Sequence, residues 1–283
     1  MDNLITIDWL AEHRGDPRVR ILDANYHLPE AGRDARAEFD TGHIPGAQFL
    51  DLPGLHDPDS DLANTIPSPD QFAEHVAALG VSDGDTVVLY DDSALHSASR
   101  AWFIFRLMGF ANVAVLDGGL TGWKAAGHPL ESETDPVERG SVSASCDETL
   151  LRDKCAMIAN VDTMAEQVVD ARGPARFKGE EAEPRPGLAA GHIPGSASLP
   201  VGMLFEADGT MKHAAGLTAV FEGAGIDLNR PVVTTCGSGV TASVLAHALI
   251  RLGKDDVAVY DGSWAEWGAD TATPKQTGKA TPR

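Results

Sequence analysis

Short apolar runs alternate along the chain with longer segments of helical period. The run at residues 87–90 precedes a helical pattern at about 98–108 that ends at Gly109. The run at 232–235 likewise precedes one at about 241–252 that ends at Gly253. Alternation of this kind predicts strands joined by helical crossovers, and therefore an α/β fold with mainly parallel sheets flanked by helices.

The pattern occurs twice. Gly-His-Ile-Pro-Gly at residues 42–46 recurs at 191–195, and Asp-Ala at 23–24 recurs at 170–171. Val-Leu-Asp-Gly at 115–118 recurs as Val-Tyr-Asp-Gly at 259–262, each followed by a tryptophan. The offsets of 149, 147 and 144 drift slowly while the order is kept, as expected of a duplication.

The repeat predicts two tandem domains. The first spans 1–131 and the second 150–270, joined by a linker at 132–149 that is rich in Ser, Glu, Asp, Pro and Gly. The polar tail, 271–283, has no apolar period and is expected to lack ordered structure.

Acidic residues outnumber basic ones 42 to 22, which gives a net charge of -20 and disfavours nucleic acid and anionic membranes as partners. No apolar run is long enough to cross a bilayer and no leader pattern opens the chain, so a cytoplasmic location is expected. The three cysteines form no CxxC pair, and no phosphate-binding glycine motif is present, so neither a metal nor an organic cofactor is expected.

One of these cysteines stands where a nucleophile could be activated. Superposing the two Val-Val strands places Cys236, at the end of the second, against Asp91 at the end of the first. Backbone N–H groups between a parallel strand and a helix stabilise an anion, and so favour the thiolate. The alternative is a cysteine buried as a small apolar residue.

A phosphatase loop has a similar position but a different sequence. Phosphatases of this kind need an arginine six residues after the cysteine to clamp phosphate. Here that residue is Ala242, which argues against phosphatase chemistry.

Three sets of residues resemble the rhodanese superfamily, specifically its tandem-domain sulfurtransferases. They are the two His-Ile-Pro-Gly segments, Cys-Gly-Ser-Gly-Val-Thr at 236–241 and Tyr-Asp-Gly-Ser-Trp at 260–264. The resemblance implies an inert first domain and a second domain that carries sulfur as a persulfide on Cys236. The loop residues that follow, Gly237, Gly239, Val240 and Thr241, would then contact the substrate.

The resemblance also implies a donor. Neutral Gly237 and Ser238 are similar to the branch that uses 3-mercaptopyruvate, in which two arginines hold the donor carboxylate. The matching residues are Arg176 and Arg185, each of which has a surface salt bridge as its alternative role.

The implied activity moves sulfur from 3-mercaptopyruvate to cyanide or to a thiol acceptor, such as thioredoxin or a small thiol, and releases pyruvate. Thiosulfate as the donor, or a noncatalytic persulfide carrier or regulatory module, is the alternative.

The same branch implies a relay of Asp34, His43 and Ser238. The alternative for His43 is structural. In this alternative the imidazoles of His43 and His192 bond to the backbone and cap the Pro-Gly turns, and the presence of a histidine in both copies favours a structural role for at least one of them.

Overall fold

The computed structural model describes residues 2–280, which divide into two compact units. The first unit contains the residues up to Asp59, Ile66–Asp147 and Glu206–Met211. The second contains Ser60–Thr65, Glu148–Phe205 and the residues from Lys212 onward. Two short segments therefore group with the unit formed by the other half of the chain. The hydrophobic pattern gives no sign that these two segments group in this way, and the domain boundaries predicted from the sequence do not include them.

The first unit contains one five-stranded sheet in the order β1-β5-β4-β2-β3, with every pair parallel. A 3-10 turn, Pro29–Ala31, lies between β2 and α2. The elements are β1 (Leu4–Ile5), α1 (Ile7–His13), β2 (Val19–Asp23), α2 (Ala35–Thr41), β3 (Ala47–Phe49), α3 (Pro69–Ala78), β4 (Thr86–Tyr90), α4 (Ala98–Leu107), β5 (Val113–Leu116) and α5 (Gly119–Ala125).

The second unit repeats this topology in the order β6-β10-β9-β7-β8, again with parallel pairs. Two 3-10 turns are Glu148–Leu150 and Val201–Leu204. The elements are β6 (Leu151–Arg152), α6 (Lys154–Thr163), β7 (Gln167–Asp170), α7 (Pro174–Lys178), β8 (Ala197–Ser198), α8 (Ala214–Gly223), β9 (Val232–Thr235), α9 (Val240–Arg251), β10 (Val257–Tyr260) and α10 (Ser263–Trp267). The predicted pair of parallel sheets flanked by helices is confirmed.

The middle strands, β4 and β9, each lead into a deeply buried helix. Nine of the twelve residues of α9 are buried, and four of the nine are alanines or a serine that allow close packing against the sheet. Because α9 is buried on nearly all sides and β9 lies in the middle of the sheet, the loop that joins them is held firmly at both ends. No helix within residues 2–280 is long and apolar enough to cross a membrane.

The predicted linker is hydrogen-bonded to the first unit. Gly140 N–H donates to the Ala77 carbonyl at 2.8 Å, and Asp83 N–H donates to the Ser141 carbonyl at 2.9 Å. A Cβ on Gly140 would lie 1.8 Å from the Val81 carbonyl oxygen, so only glycine fits this close approach.

A return segment closes the first unit. Trp123 Nε1 donates to the Pro129 carbonyl at 2.8 Å. The backbones of His43 and Glu131 then exchange two hydrogen bonds of 2.9 and 3.0 Å. The first Gly-His-Ile-Pro-Gly segment is thereby fixed to the chain that follows α5.

The second unit closes in the same way, which corrects the expectation of an unstructured tail. Trp267 Nε1 donates to the Pro274 carbonyl at 2.8 Å, and His192 and Gln276 exchange backbone hydrogen bonds of 2.8 and 3.0 Å. Residues 271–280 are thus held by polar backbone pairing, which an apolar period does not report. Residues 281–283 lie outside the described part of the chain.

In the first unit, a carboxylate occupies the start of the helix that follows the middle strand. Asp91 Oδ2 accepts hydrogen bonds from Ala98 N–H at 2.6 Å and from the Ser97 hydroxyl at 3.3 Å. Burial raises the pKa of Asp91 to about 7, although the amide hydrogen bond from Ala98 opposes the shift. At the position that matches Cys236, the first unit therefore has Asp91, whose side chain accepts hydrogen bonds from the start of the helix.

This burial predicts a pH dependence of stability. A raised folded-state pKa stabilises the fold below the unfolded pKa of about 4, and that contribution is lost as the pH rises through about 7. Asp91→Asn cannot ionise and keeps an acceptor oxygen. From pH 4 to 8, the free energy of unfolding of the wild type should fall relative to this variant by about 2–4 kcal/mol, measured by urea unfolding.

Asp40→Asn is the control, because the Asp40 side chain is 52% exposed. Its pH profile should run parallel to that of the wild type. Parallel profiles for Asp91→Asn and the wild type would contradict the burial argument.

Candidate active site

The loop between β9 and α9 is tied at both ends by one hydroxyl. Ser263 Oγ accepts hydrogen bonds from Cys236 N–H at 3.2 Å and from Gly239 N–H at 3.1 Å, and donates to the Tyr260 carbonyl at 2.8 Å. Trp264 N–H adds a 3.0 Å hydrogen bond to the Cys236 carbonyl. Cys236 is 2% exposed and forms no disulfide among the described residues. Ser263 belongs to the Tyr-Asp-Gly-Ser-Trp segment, but its role as the anchor was not predicted from the sequence.

The remaining amides of the loop are open to a ligand. Within residues 2–280, the N–H groups of Gly237, Ser238, Val240 and Thr241 have no hydrogen-bond acceptor. They lie at the N-terminus of a twelve-residue helix, whose dipole adds partial positive charge. Such a set of donors favours an anion on Cys236, just as the Ala98 N–H opposes the effect of burial on the Asp91 carboxylate in the first unit.

Arg176 lies against this loop, and its contact with the donor carboxylate stays a prediction. It sits in the short helix α7, and its Nη2 is 3.3 Å from the point where a Cβ on Gly237 would lie. The same Nη2 donates to Glu183 at 2.5 Å, while Nε is buried and has no partner within residues 2–280. Glycine at 237 admits the guanidinium, which keeps a donor available for an anion.

Arg185 is half-buried in the loop that follows α7. No carboxylate of the described residues forms an ion pair with it, so the surface salt bridge that was its alternative role is absent there. Its charge is available to a bound anion, and its contact with a donor stays a prediction.

Beside Arg176 lies a ladder of buried charged side chains that was not predicted from the sequence. Asp170 and Arg172 form a bidentate pair with a closest distance of 2.7 Å, and Arg172 also donates to Glu183 at 2.7 Å. The Arg172 guanidinium lies 4.3 Å from the centre of the Trp264 ring. Burial lowers the pKa of Arg172, but Asp170 and Glu183 raise it by more, so the net shift is upward.

A signal for the ladder was present in the repeat. The backbone N–H of Arg172 donates to Asp170 at 2.9 Å, just as that of Asn25 donates to Asp23 at 2.9 Å in the first unit. The duplicate thus carries asparagine where the second copy carries arginine. Comparing the copies residue by residue would have shown this difference beside that of Asp91 and Cys236.

Ser238 has a partner that the sequence analysis also missed. Asn64 Nδ2 donates to Ser238 Oγ at 3.3 Å, and the segment that carries it, Ser60–Thr65, belongs to the second unit. Asn64 has a left-handed backbone with φ of 65°, which asparagine tolerates better than most residues. Accepting this hydrogen bond leaves the Ser238 hydroxyl proton available for donation.

Asp34 and His43 have local partners in the first unit. Asp34 is exposed and caps α2, accepting a 3.0 Å hydrogen bond from Ala37 N–H. His43 is fully buried, donates from Nδ1 to the Phe39 carbonyl at 2.8 Å and stacks on the Phe39 ring at 3.8 Å. These contacts support the structural alternative for His43, and its relay with Asp34 and Ser238 stays a prediction.

His192 repeats these contacts in the second unit. Its Nδ1 donates to the Phe177 carbonyl at 2.8 Å and its ring stacks on Phe177 at 3.8 Å. The same arrangement in the two copies is expected of a structural element that both sheets need.

Comparison with known proteins agrees with the geometry. The family model for the rhodanese-like domain matches residues 6–126 and 156–270. The chain is 40% identical to 3-mercaptopyruvate sulfurtransferase of Rattus norvegicus, over 93% of this chain and 91% of the relative. It is 40% identical to 3-mercaptopyruvate sulfurtransferase of Escherichia coli strain K12, over 94% and 95%.

A third relative and a solved structure extend this agreement. Thiosulfate/3-mercaptopyruvate sulfurtransferase 2 of Arabidopsis thaliana is 38% identical over 96% of this chain and 85% of its own. The crystal structure of SseA from Escherichia coli, presented with the rhodanese fold of 3-mercaptopyruvate sulfotransferases, has a TM-score of 0.85 and 36% identity, covering 93% of this chain and 99% of SseA. With two matched domains and these relatives, the chain belongs to the rhodanese family as a tandem-domain member.

Proposed function

We propose that this protein transfers sulfur from 3-mercaptopyruvate through a persulfide on Cys236 to a thiol or cyanide, releasing pyruvate. One observation carries the proposal: Arg176 lies against an uncharged loop beside Cys236. The N–H groups of Gly237 and Ser238 in this loop have no acceptor among residues 2–280. The rat and Escherichia coli relatives named 3-mercaptopyruvate sulfurtransferases support the choice of donor.

The first half-reaction breaks the carbon–sulfur bond of the donor. The Cys236 thiolate attacks the donor sulfur, a sulfur–sulfur bond forms, and the electron pair of the carbon–sulfur bond passes to the pyruvate enolate. The proton of the donor thiol ends on the enolate carbon, so the products are a persulfide anion and pyruvate. In this proposal the open loop amides stabilise the anion and the Ser238 hydroxyl passes the proton.

In the second half-reaction an acceptor removes the outer sulfur. A thiolate or cyanide attacks that sulfur, and the electron pair of the sulfur–sulfur bond returns to Cys236. Thioredoxin or a small thiol as the acceptor, and a cytoplasmic location, stay predictions. Thiosulfate is a second candidate donor, which the name of the Arabidopsis relative favours.

Removal of the nucleophile tests the central claim. Cys236→Ser should lower sulfur transfer to cyanide by about 10³-fold or more with either donor, because a hydroxyl cannot form the persulfide. Mass spectrometry after donor treatment should show one added sulfur atom on Cys236 in the wild type and none in the variant. Cys155→Ser, at an exposed cysteine, is the control and should behave as wild type. Activity retained by Cys236→Ser would refute the mechanism.

Removal of the Arg176 guanidinium tests donor recognition. Arg176→Ala should raise the KM for 3-mercaptopyruvate by about ten- to a hundredfold, because a charge-assisted contact with the donor carboxylate is lost. Steady-state kinetics with each donor measures the change. Lys178→Ala removes a positive charge from the same helix and should change the KM little. A loss confined to thiosulfate would contradict the donor assignment.

The Asn64 contact predicts how Ser238 is oriented. Asn64→Asp replaces the N–H donor by an acceptor, so the Ser238 hydroxyl should donate to residue 64 and be withdrawn from the enolate. The kcat for 3-mercaptopyruvate should fall about tenfold, whereas thiosulfate should be less affected because its sulfite leaving group needs no proton on carbon.

Two further variants keep this test sharp. Ser238→Ala should show the same donor-selective loss, and the double variant should lose no more than either single one. Asn112→Asp adds the same charge at an exposed site and is the control. An equal loss with both donors would assign Asn64 a purely structural role.

A further inference from the structure

The charged ladder that ends at Arg176 is a closed set of four side chains. Glu183 bridges the two arginines through its two oxygens, at 2.7 Å to Arg172 Nη1 and 2.5 Å to Arg176 Nη2. Arg172 in turn pairs with Asp170 at 2.7 Å. The side chains of Asp170, Arg172 and Glu183 are each 1% exposed, and that of Arg176 is 25% exposed.

The charges of the ladder cancel. Two carboxylates and two guanidinium groups sum to zero, so Arg176 offers hydrogen-bond donors without an excess positive charge. Because three members are almost fully buried, water screens their charges poorly, and their net charge affects the electrostatic potential at Arg176. Arg185 forms no ion pair among residues 2–280, and its place beside the donor is part of the proposed function.

The candidate donors differ in charge. With its thiol protonated, 3-mercaptopyruvate is a monoanion, whereas thiosulfate is a dianion. With Arg185 at the donor, as the proposed function has it, the excess charge is one positive unit, which matches the monoanion. A dianion leaves an uncompensated negative charge in a half-buried site beside a thiolate, which is unfavourable.

We propose that Glu183 is a specificity-determining residue: by neutralising one arginine of the ladder, it sets the site to accept a monoanionic donor over a dianionic one. This inference rests on the proposed sulfur transfer and deepens it. Glu183 contacts no reacting atom and acts through the position and effective charge of Arg176.

Glu183→Gln tests the charge directly, because glutamine keeps the shape and one acceptor oxygen but leaves the ladder with one extra positive charge. The ratio of kcat/KM for thiosulfate to kcat/KM for 3-mercaptopyruvate should rise about tenfold or more. Glu180→Gln makes the same charge change at a side chain that is 64% exposed, and its ratio should equal that of the wild type. An unchanged or lowered ratio in folded Glu183→Gln would overturn the proposal.

Glu183→Asp separates charge from position. The shorter side chain keeps the negative charge beside Arg172 but cannot bridge both arginines. The donor ratio should therefore stay near the wild-type value while the KM for 3-mercaptopyruvate rises. A ratio that moves as in Glu183→Gln would show that charge is not the determinant.

A binding measurement on the wild-type protein needs neither a variant nor turnover. Pyruvate and oxalate have similar shapes but carry one and two negative charges, and calorimetry should find tighter binding of pyruvate. Tighter binding of oxalate would overturn the role of Glu183 even if its variants fail to fold. Absence of turnover with both donors, together with tighter binding of pyruvate, would count against the proposed reaction and leave the charge selection standing.

Discussion

The N-terminus of a buried helix beside the end of a middle strand presents N–H donors that need an acceptor, and both units are organised around this requirement. In the first unit, the Asp91 side chain is a built-in acceptor for Ala98 N–H. In the second unit, Cys236 occupies the same place, with open amides around it and no fixed acid. Since the donors are already oriented, a thiolate or persulfide gains their stabilisation without reorganisation of the loop. The duplicated fold thus provides the same helix donors in both units, and the residue at the end of the middle strand is the first of the differences that separate the inert copy from the reactive one.

Two further differences between the copies adapt the surroundings of Cys236 to an active site. Ser263 adopts a left-handed backbone with φ of 48° and ties Cys236 to Gly239, whereas the matching residue of the first unit is Gly119, with φ of 54°. Arg172 replaces Asn25 and couples the sheet to Glu183 and so to Arg176. The nucleophile, the anchor of its loop and the buried arginine of the ladder therefore stand at positions that the first unit fills with Asp91, Gly119 and Asn25.

The sequence predicts the parts of the molecule that depend on periodicity and repetition. Alternating runs and the duplicated Gly-His-Ile-Pro-Gly segment lead to two parallel sheets, and the strand at 232–235 is predicted with its observed bounds. Cys236 follows from its place after that strand, and Arg176 from the family resemblance. Asn64 could not be predicted, because its contact with Ser238 joins residues 174 positions apart through a segment without regular structure. The paired tail at 271–280 was missed because backbone hydrogen bonds, not apolar side chains, hold it in place.

Gly119 bears on whether the inert copy could regain a nucleophile. A Cβ at this position would lie 2.2 Å from the Asp91 carbonyl oxygen, so the loop of the first unit has closed over the space that a serine side chain occupies in the second. Replacing Asp91 by cysteine would supply a thiol without the hydroxyl that anchors its loop or the arginine that continues the ladder. Restoring all three needs coordinated changes at Asp91, Gly119 and Asn25, and the change at Gly119 is strained until the loop moves. No single substitution therefore gives the first unit an active site like that of the second, and the steric conflict at position 119 opposes one of the three changes that are needed.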